Sequence, residues 1–423
     1  MESVSKTTSP PKDSAFSFVR SLGPGVMMAA AAVGGSHLVA STKAGAIYGW
    51  QLAGLILLVN LFKYPFFKAG VQFTVGTGKS LVEGYASLGK PYLWVFALLS
   101  VVSAIINTAA LLLFSASLLS YFVPFELPLP VLCGIVLATC LAILFAGHYK
   151  ALDTLSKAIM ATLTVATVIA VSIAVGNPVE PVAQFEAPSP WSIAAIGFLV
   201  VTMGWMPAPI EISSITSMWL KSQQRQVDVT AKSALFDFNV GYIGTALLAL
   251  IFVALGALVI HGSGAELSAS GVGFTHQLVG MYASTIGEWS RMLIAVIAFF
   301  CIFGSTITVI DGYSRVISES QRLLLKQPAA TPKVTQVWMV IVSACALSII
   351  LFLMSALMPM LDFAMVMAFM TTPVFALLNY ILVSRTELPK ELAMTAGLKR
   401  LSQIGLLYLF GFLAVFIWWK WLM

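Results

Sequence analysis

Residues 31–46 read AAVGGSHLVASTKAGA, and the reading of this stretch decides the fold. Two adjacent glycines, a serine and a histidine stand where the flanking residues would otherwise build one uninterrupted apolar helix. A glycine pair in mid-helix removes side chains and lets the backbone leave helical geometry, which predicts two half-helices, 23–33 and 37–48. Ser36 is the predicted N-cap of the second half. The alternative is a continuous helix whose glycines make a close-packing face.

The rest of the chain supplies the context. Of 423 residues, 59% are hydrophobic and 9% are charged, and the apolar residues fall in blocks. Each block is about twenty residues long, the length that crosses a bilayer, which predicts a polytopic membrane protein. In hydrocarbon every backbone polar group must be satisfied internally, and the blocks lack the alternation of a barrel wall. The expected fold class is therefore all-α.

Eleven transmembrane helices are predicted, at 23–48, 51–70, 92–122, 127–148, 152–175, 191–220, 231–261, 288–324, 336–357, 360–383 and 403–422. Residues 1–20 are polar and Pro-rich without an apolar h-region, which reads as a disordered cytoplasmic tail and not as a signal peptide. With the amino terminus inside, every basic residue except Lys43, Arg291 and Lys420 falls on the cytoplasmic side, while the outer loops carry Glu126, Glu180 and Glu186 without Lys or Arg. The positive-inside rule then sets an odd number of crossings, with the carboxyl terminus outside the cell membrane. The net charge of +6 is spread over short loops instead of forming a stripe, so topology explains it and nucleic acid is not an expected partner. The four cysteines, Cys133, Cys140, Cys301 and Cys345, lie in apolar blocks without paired spacing and are expected to be buried free thiols.

A second interruption lies in the sixth block, where Gly204, Pro207 and Pro209 fall close together. Two prolines at that spacing remove two backbone donors and clash with the preceding turn. Breaks in the first and sixth spans, five helices apart, match a five-plus-five inverted repeat whose discontinuous helices meet at the bilayer midplane and form the substrate site. The expected organisation is a transporter core at 21–385, with repeats at about 21–176 and 190–385, followed by a linker and an additional helix at 386–423.

Candidate substrate-binding residues are Gly34, Gly35, Ser36, His37, Met203, Met206 and Ala208, all at or beside the two breaks. Ionisable groups inside spans are expensive, which singles out His37, Glu211 and Asp237 as candidates for coupling to a proton. Each also has a structural reading: a hydrogen-bonded buried histidine, a carboxylate in an ion pair, a residue lining the inner vestibule. Lys43 is expected to snorkel to the outer interface and Asp362 to sit at an interface. Asp311 and Arg315, four apart, are expected to pair. The segment VGTGKS at 75–80 ends like a phosphate-binding loop, but Phe73 stands where its first glycine would be. No catalytic constellation is present, so an enzyme is not expected, and no cofactor is implied.

With these motifs in view, the sequence resembles the NRAMP family of proton-coupled divalent-metal transporters. GPGVMMAAAAVGGSHLVASTKAGAIYG at 23–49 is similar to that family's first helix, VGTGKSLVEGY at 75–85 to the inner end of its second, Met206–Pro207 to its sixth-helix break, and STIT at 305–308 to its eighth. The resemblance implies the family's ligand positions, and here they have changed. The family's D-P-G-N falls on Gly34, Gly35, Ser36 and His37, and its M-P-H-N on Met206, Pro207, Ala208 and Pro209. The glutamine of its tenth helix has no counterpart in MVMAFMTTPVF at 365–375.

A dication at the midplane needs negative charge to offset lost hydration, so hard ions are disfavoured. His37 and Met206 are the candidate ligands for a softer metal, as nitrogen and sulfur donors suit Cu, Zn or Ni. The expectation is a proton- or cation-coupled transporter of a small polar or carboxylate-bearing solute. The alternatives are a soft-metal transporter and a non-transporting sensor on the same fold.

Overall fold

The structure is a computed structural model that describes residues 23–423 except 126, 148, 228, 269, 354 and 355, and excludes the side chains of 149–156. The expected tail at 1–20 and Glu126 lie outside the described residues. All secondary structure among the described residues is helical.

The first apolar block forms α1 (Pro24–Ala32) and α2 (Thr42–Tyr48), joined by a turn at 33–35 and wider π-type turns over Ser36–Ser41. Then come α3 (Ala53–Thr77), α4 (Leu81–Leu88), α5 (Lys90–Leu119), α6 (Leu129–Phe145) and α7 (Tyr149–Gly176). The second half opens with α8 (Ile196–Trp205) and α9 (Ile212–Gln224), which flank the sixth-block break. It continues through α10 (Ala231–Val259), α11 (Gly271–Ile286), α12 (Arg291–Leu324), α13 (Pro332–Phe352), α14 (Leu357–Arg385) and α15 (Ala396–Trp421).

Local chemistry places many of these boundaries. Proline stands in the first turn of α1, α5, α6 and α13, where its missing N–H is an orphan in any case. The stretch that mimics a phosphate loop is punctuation between two helices. Gly78 ends α3 with a φ of 69°, and Ser80 starts α4 through a reciprocal capping box with Glu83. Helices α4 and α11 were not expected from the sequence. Both are short, and α11 buries Phe274, Leu278, Met281 and Tyr282 at helical spacing against α5, α7 and α12.

Among the described residues, eight helices are long and apolar enough to cross a membrane, or nine if the bent pair α1 and Ser36–Tyr48 counts as one span with its 47° bend. The 17-residue α6 and the pair α8/α9 fall below that length test. At the centre α5 packs along α12, while α7, α13 and α15 leave much of their apolar surface uncovered, as lipid-facing helices do. Cys133, Cys140 and Cys301 are buried as expected, whereas Cys345 on α13 is exposed. It faces outward because its helix lies at the rim.

The first span is pressed onto α10 by glycines. A β-carbon on Gly25 would strike the Asp237 carbonyl, and one on Gly241 the Gly25 carbonyl. Further along the same seam, Gly45 faces the Val253 carbonyl and Gly256 the Thr42 carbonyl. Backbones this close pack only where side chains are absent.

Candidate functional site

Both breaks exist, and their freed peptide groups are largely satisfied by protein atoms. At the first, the Val33 carbonyl accepts the Cys301 thiol of α12 at 2.9 Å, and the Ala32 carbonyl accepts the Gly34 amide at 2.8 Å and the Ser36 hydroxyl. Ser36 was expected to cap the second half-helix. It instead points back, because the carbonyls ending α1 were the nearer unsatisfied groups. The two glycines let neighbouring side chains approach the break closely. A β-carbon on Gly34 would lie 2.9 Å from the Ser305 hydroxyl oxygen, and one on Gly35 would enter the Trp205 ring.

His37 is fully buried and turned toward α10. Its Nε2 lies 2.9 Å from the Thr245 carbonyl and carries its hydrogen there, since a carbonyl can only accept. Nδ1 lies 2.7 Å from the Ser36 hydroxyl and 3.2 Å from the Ala32 carbonyl, and Phe252 meets the ring edge-on. Both nitrogens thus face scaffold groups, the single Ser36 hydrogen lying between Nδ1 and the Ala32 carbonyl. Met206, the other proposed soft donor, accepts the Ser41 hydroxyl at 3.6 Å. Met203 points away from the break, its sulfur accepting the Tyr408 hydroxyl of α15 at 2.9 Å. Among the described residues, no group of three or more His, Cys, Asp or Glu is arranged to hold a metal ion.

At the sixth break, Pro207 and Pro209 lack the N–H groups that would continue α8 into α9. The Met203 and Gly204 carbonyls are bound by the Lys63 ammonium of α3, at 2.7 and 3.0 Å, with the Ala208 carbonyl at 3.5 Å. Lys63 is 0% exposed. The sequence reading counted it with the cytoplasmic charges, and the structure places it in the protein interior.

A cavity of about 40 Å³ lies between the breaks, lined by Gly35, Ser36, Asn107, Trp205, Ala208 and Tyr313 among others. That is room for about one water molecule. A chain of hydrogen bonds runs along it: the Trp205 indole donates to Asn107 Oδ1 at 3.1 Å, Asn107 Nδ2 to the Tyr313 hydroxyl at 3.3 Å, and that hydroxyl to Glu211 Oε1 at 3.0 Å. Glu211 starts α9 and its Oε2 is buried without a protein partner. Of the predicted substrate residues, Gly35, Ser36 and Ala208 line the cavity, and Gly34, His37, Met203 and Met206 do not. Sequence reading missed Asn107, Trp205 and Tyr313. The available signal was an amide in an apolar block and an aromatic residue directly before the break.

Asp237 does not line a vestibule. Its carboxylate accepts the Gly23, Gly25 and Val26 amides at 3.0, 2.7 and 3.3 Å, capping the amino end of α1 from α10. Lys43, expected to reach the outer interface, and Asp362, expected at an interface, pair at 3.0 Å. Asp311 binds Arg315 at 2.7 Å as its spacing predicts. A larger cavity, about 770 Å³, opens at the end of the bundle where α4, α9 and α12 meet, with Glu83, Lys221, Asp311, Arg315 and Glu319 in its wall. There Glu83 contacts Lys221 at 2.5 Å. Burial pushes the Glu83 carboxyl up, but its bonds to Lys221 and Ser80 outweigh that and hold it below the usual carboxylate range.

The comparisons agree with this architecture. The family model described as Natural resistance-associated macrophage protein-like matches residues 25–419. An uncharacterised protein of Pasteurella multocida is 52% identical over 399 residues, covering 94% of this chain and 91% of the relative. Among solved structures, two mutants of the Eremococcus coleocola manganese transporter are similar with TM-scores of 0.70 and 0.72 at 14% and 13% identity, over 97% of this chain and 89% of theirs. Mhp1, a nucleobase-cation-symport-1 family transporter in a closed conformation with bromovinylhydantoin bound, is similar with a TM-score of 0.58 at 11% identity, over 94% of this chain and 92% of that one. At these identities the structural likeness speaks for the fold. The family match covers nearly the whole chain, and the chain therefore belongs to the Natural resistance-associated macrophage protein-like (Nramp) family, as a multi-pass membrane transporter and not an enzyme.

Proposed function

We propose that this transporter works by alternating access around the paired breaks and moves a small polar or carboxylate-bearing solute in preference to hard divalent metals, coupled to protons or another cation. In this reading the chain crosses the cell membrane eleven times as a five-plus-five inverted repeat plus one helix, with its amino terminus in the cytoplasm. The core is 21–385 and the added helix lies in 386–423. The α8/α9 pair and α6 then count as spans despite their length.

The observation that carries the reading is the charge at the centre. Asn107, Ser36, Trp205 and Tyr313 offer neutral hydrogen-bonding groups, and Glu211 is the carboxylate at the break, bound by Tyr313 and under the field of Lys63. A hard dication would find too little negative charge there to offset its lost hydration. Donors of this kind suit a hydrogen-bonding solute, once the small cavity widens. Glu211, with one oxygen unpartnered, is the preferred coupling group. His37 and Asp237 serve the scaffold in this reading, since their polar atoms are spent on holding α1.

A soft-metal transporter is the second reading: the likeness to a manganese transporter points to metal as cargo in that protein, and the nitrogen and sulfur donors here would shift the choice toward softer ions. His37 and Met206 would have to leave Thr245, Ser36 and Ser41 to serve it. A thermal-shift screen of the purified protein against metals, amino acids and small carboxylates separates the two, because a ligand that binds only the folded state raises its stability. The hits then go into proteoliposomes with an imposed proton gradient. A polar organic hit with gradient-driven uptake, lost in Glu211→Gln, is the expected result. Stabilisation and uptake confined to divalent metals would overturn the first reading, and tight binding without flux would make the protein a sensor.

A further inference from the structure

A lysine with no solvent exposure in the middle of a lipid-embedded bundle needs a reason, because a buried ammonium is costly unless its hydrogens are matched. Lys63 has three N–H donors, and three main-chain oxygens stand around it, those of Met203, Gly204 and Ala208 at 2.7, 3.0 and 3.5 Å. No side chain is among these acceptors. Two of the carbonyls end α8, at the negative pole of that half-helix. They were orphaned by sequence: the helical partner of the Met203 carbonyl would be the nitrogen of Pro207, which has no hydrogen, and the chain turns away before Ala208 can reach Gly204. Glu211, across the break, adds a favourable field.

Half-helix carboxyl ends and unwound carbonyls are where transporters with broken helices hold a coupling cation. Here that kind of cage is filled by a side chain of the protein itself. We infer that the Lys63 ammonium is a tethered monovalent cation, permanently occupying a carbonyl cage at the sixth-span break that would otherwise take a free alkali or ammonium ion. Lys63 is then a positioning residue that holds α8, the break and α3 in one arrangement, and sodium or potassium is excluded as the driving ion at this place. Only this last consequence rests on the transport reading, and it narrows the coupling ion of that same site.

The test measures thermal unfolding of the detergent-purified wild type, Lys63→Ala, Lys63→Met and Lys63→Arg. Each is unfolded in choline, sodium, potassium, ammonium and methylammonium chloride at equal ionic strength. Choline, too bulky for the cage, is the reference. The wild type should unfold at the same temperature in all five salts. Lys63→Ala should be lowered by several degrees in choline and regain much of that loss in ammonium or methylammonium, with a saturating concentration dependence that general salt effects lack. Lys63→Met keeps the stem without the charge and should stay low in every salt.

Sodium-specific stabilisation of the wild type would overturn the inference, as would a Lys63→Met protein matching the wild type, or a Lys63→Ala protein indifferent to small ammonium ions. If Lys63→Ala cannot be purified, the wild-type salt series and Lys63→Met decide alone. The two proposals fail separately: ammonium rescue without any solute transport would leave the cage standing and remove the transport reading. Sodium-driven uptake by the wild type would do the reverse.

Discussion

Removing the Asp237 carboxylate should destabilise the protein more than most single changes on a helix face, and should do so by freeing one end of the first span. The carboxylate takes the Gly23, Gly25 and Val26 amides at 3.0, 2.7 and 3.3 Å, so it supplies acceptors for three of the donors that a helix start leaves unpaired. A hydrogen bond to a charged group contributes about 1.5–3 kcal/mol, and a buried donor left without a partner costs about 1–3 kcal/mol. The longest of the three is weak and the effects are not additive. Asp237→Ala is therefore expected to cost roughly 3–5 kcal/mol, near the figure for breaking a buried charged pair. Asp237→Asn keeps one oxygen acceptor and should lose about half as much.

The assay is reversible unfolding in mixed micelles, read beside a local probe. A cysteine placed at Val26 in a background without the exposed Cys345 should react with a thiol reagent faster when Asp237 is alanine, because α1 is no longer held at its start. A global loss without faster labelling would mean that Asp237 acts through packing on α10. A loss below about 0.5 kcal/mol, the scale of an ordinary surface change, would refute the capping argument itself.

Two further outcomes follow from the same geometry. Glu83 has its carboxyl held low by Lys221 and Ser80, so its contribution is present above the ordinary carboxylate pKa and is lost as pH falls through the lowered value. The difference in unfolding temperature between wild type and Glu83→Gln should thus be full at pH 7, shrink once pH falls below the ordinary carboxylate range and vanish only below the lowered value, and a difference that grows toward acid would contradict the assignment. Gly34→Asp restores the family's carboxylate, and its β-carbon comes within 2.9 Å of the rotatable Ser305 hydroxyl and into ordinary contact with Ile302 at 3.5 Å. Calorimetric titration with Mn²⁺ should show binding in this variant and none in the wild type, and a flat trace for both would count against the charge argument.

Helices and breaks were legible because they depend on composition and local backbone chemistry. The apolar blocks placed the long helices, with ends off by up to seven residues, and Gly34–Gly35 and Pro207 with Pro209 marked where the helices stop. What the breaks bind was not legible, because those partners come from far away in the chain. Lys63 reaches carbonyls 140 residues on, and Asp237 caps amides more than 200 residues back. In sequence, Lys63 sits in NLFKYPFFKAG and reads as one more inner-side basic residue. The idea that freed peptide groups face a guest needs revision for the same reason: Cys301, Ser36 and Lys63 answer most of them. Asn107 and Tyr313 carry no charge and so escaped a search built on the cost of ions.

The pattern of contacts also decides where the molecule is able to part. The first span is fastened to α10 by backbone-to-backbone glycine contacts and by the Asp237 cap, and α3 is fastened to α8 by Lys63. On the other side α5, α12 and α13 pack together. Between these two sets, beside the small cavity, run hydrogen bonds that include Trp205 to Asn107, Tyr313 to Glu211 and Cys301 to Val33. At about 0.5–1.5 kcal/mol for each of the two neutral bonds and about 1.5–3 kcal/mol for the one to the carboxylate, these three bonds contribute roughly 2.5–6 kcal/mol. That is the size of the free-energy gap between conformers that a ligand can shift. Separating α1 from α10 would expose the Asp237 charge and backbone that no side chain covers, at a much larger cost. Helix α14 packs on α5 and, through the Met365 carbonyl against Gly204, on α8, so it touches both sets. On the proposed transport reading, a solute entering at the cavity would meet this hydrogen-bonded seam and exchange its bonds for its own, while Lys63 holds the broken sixth span on α3.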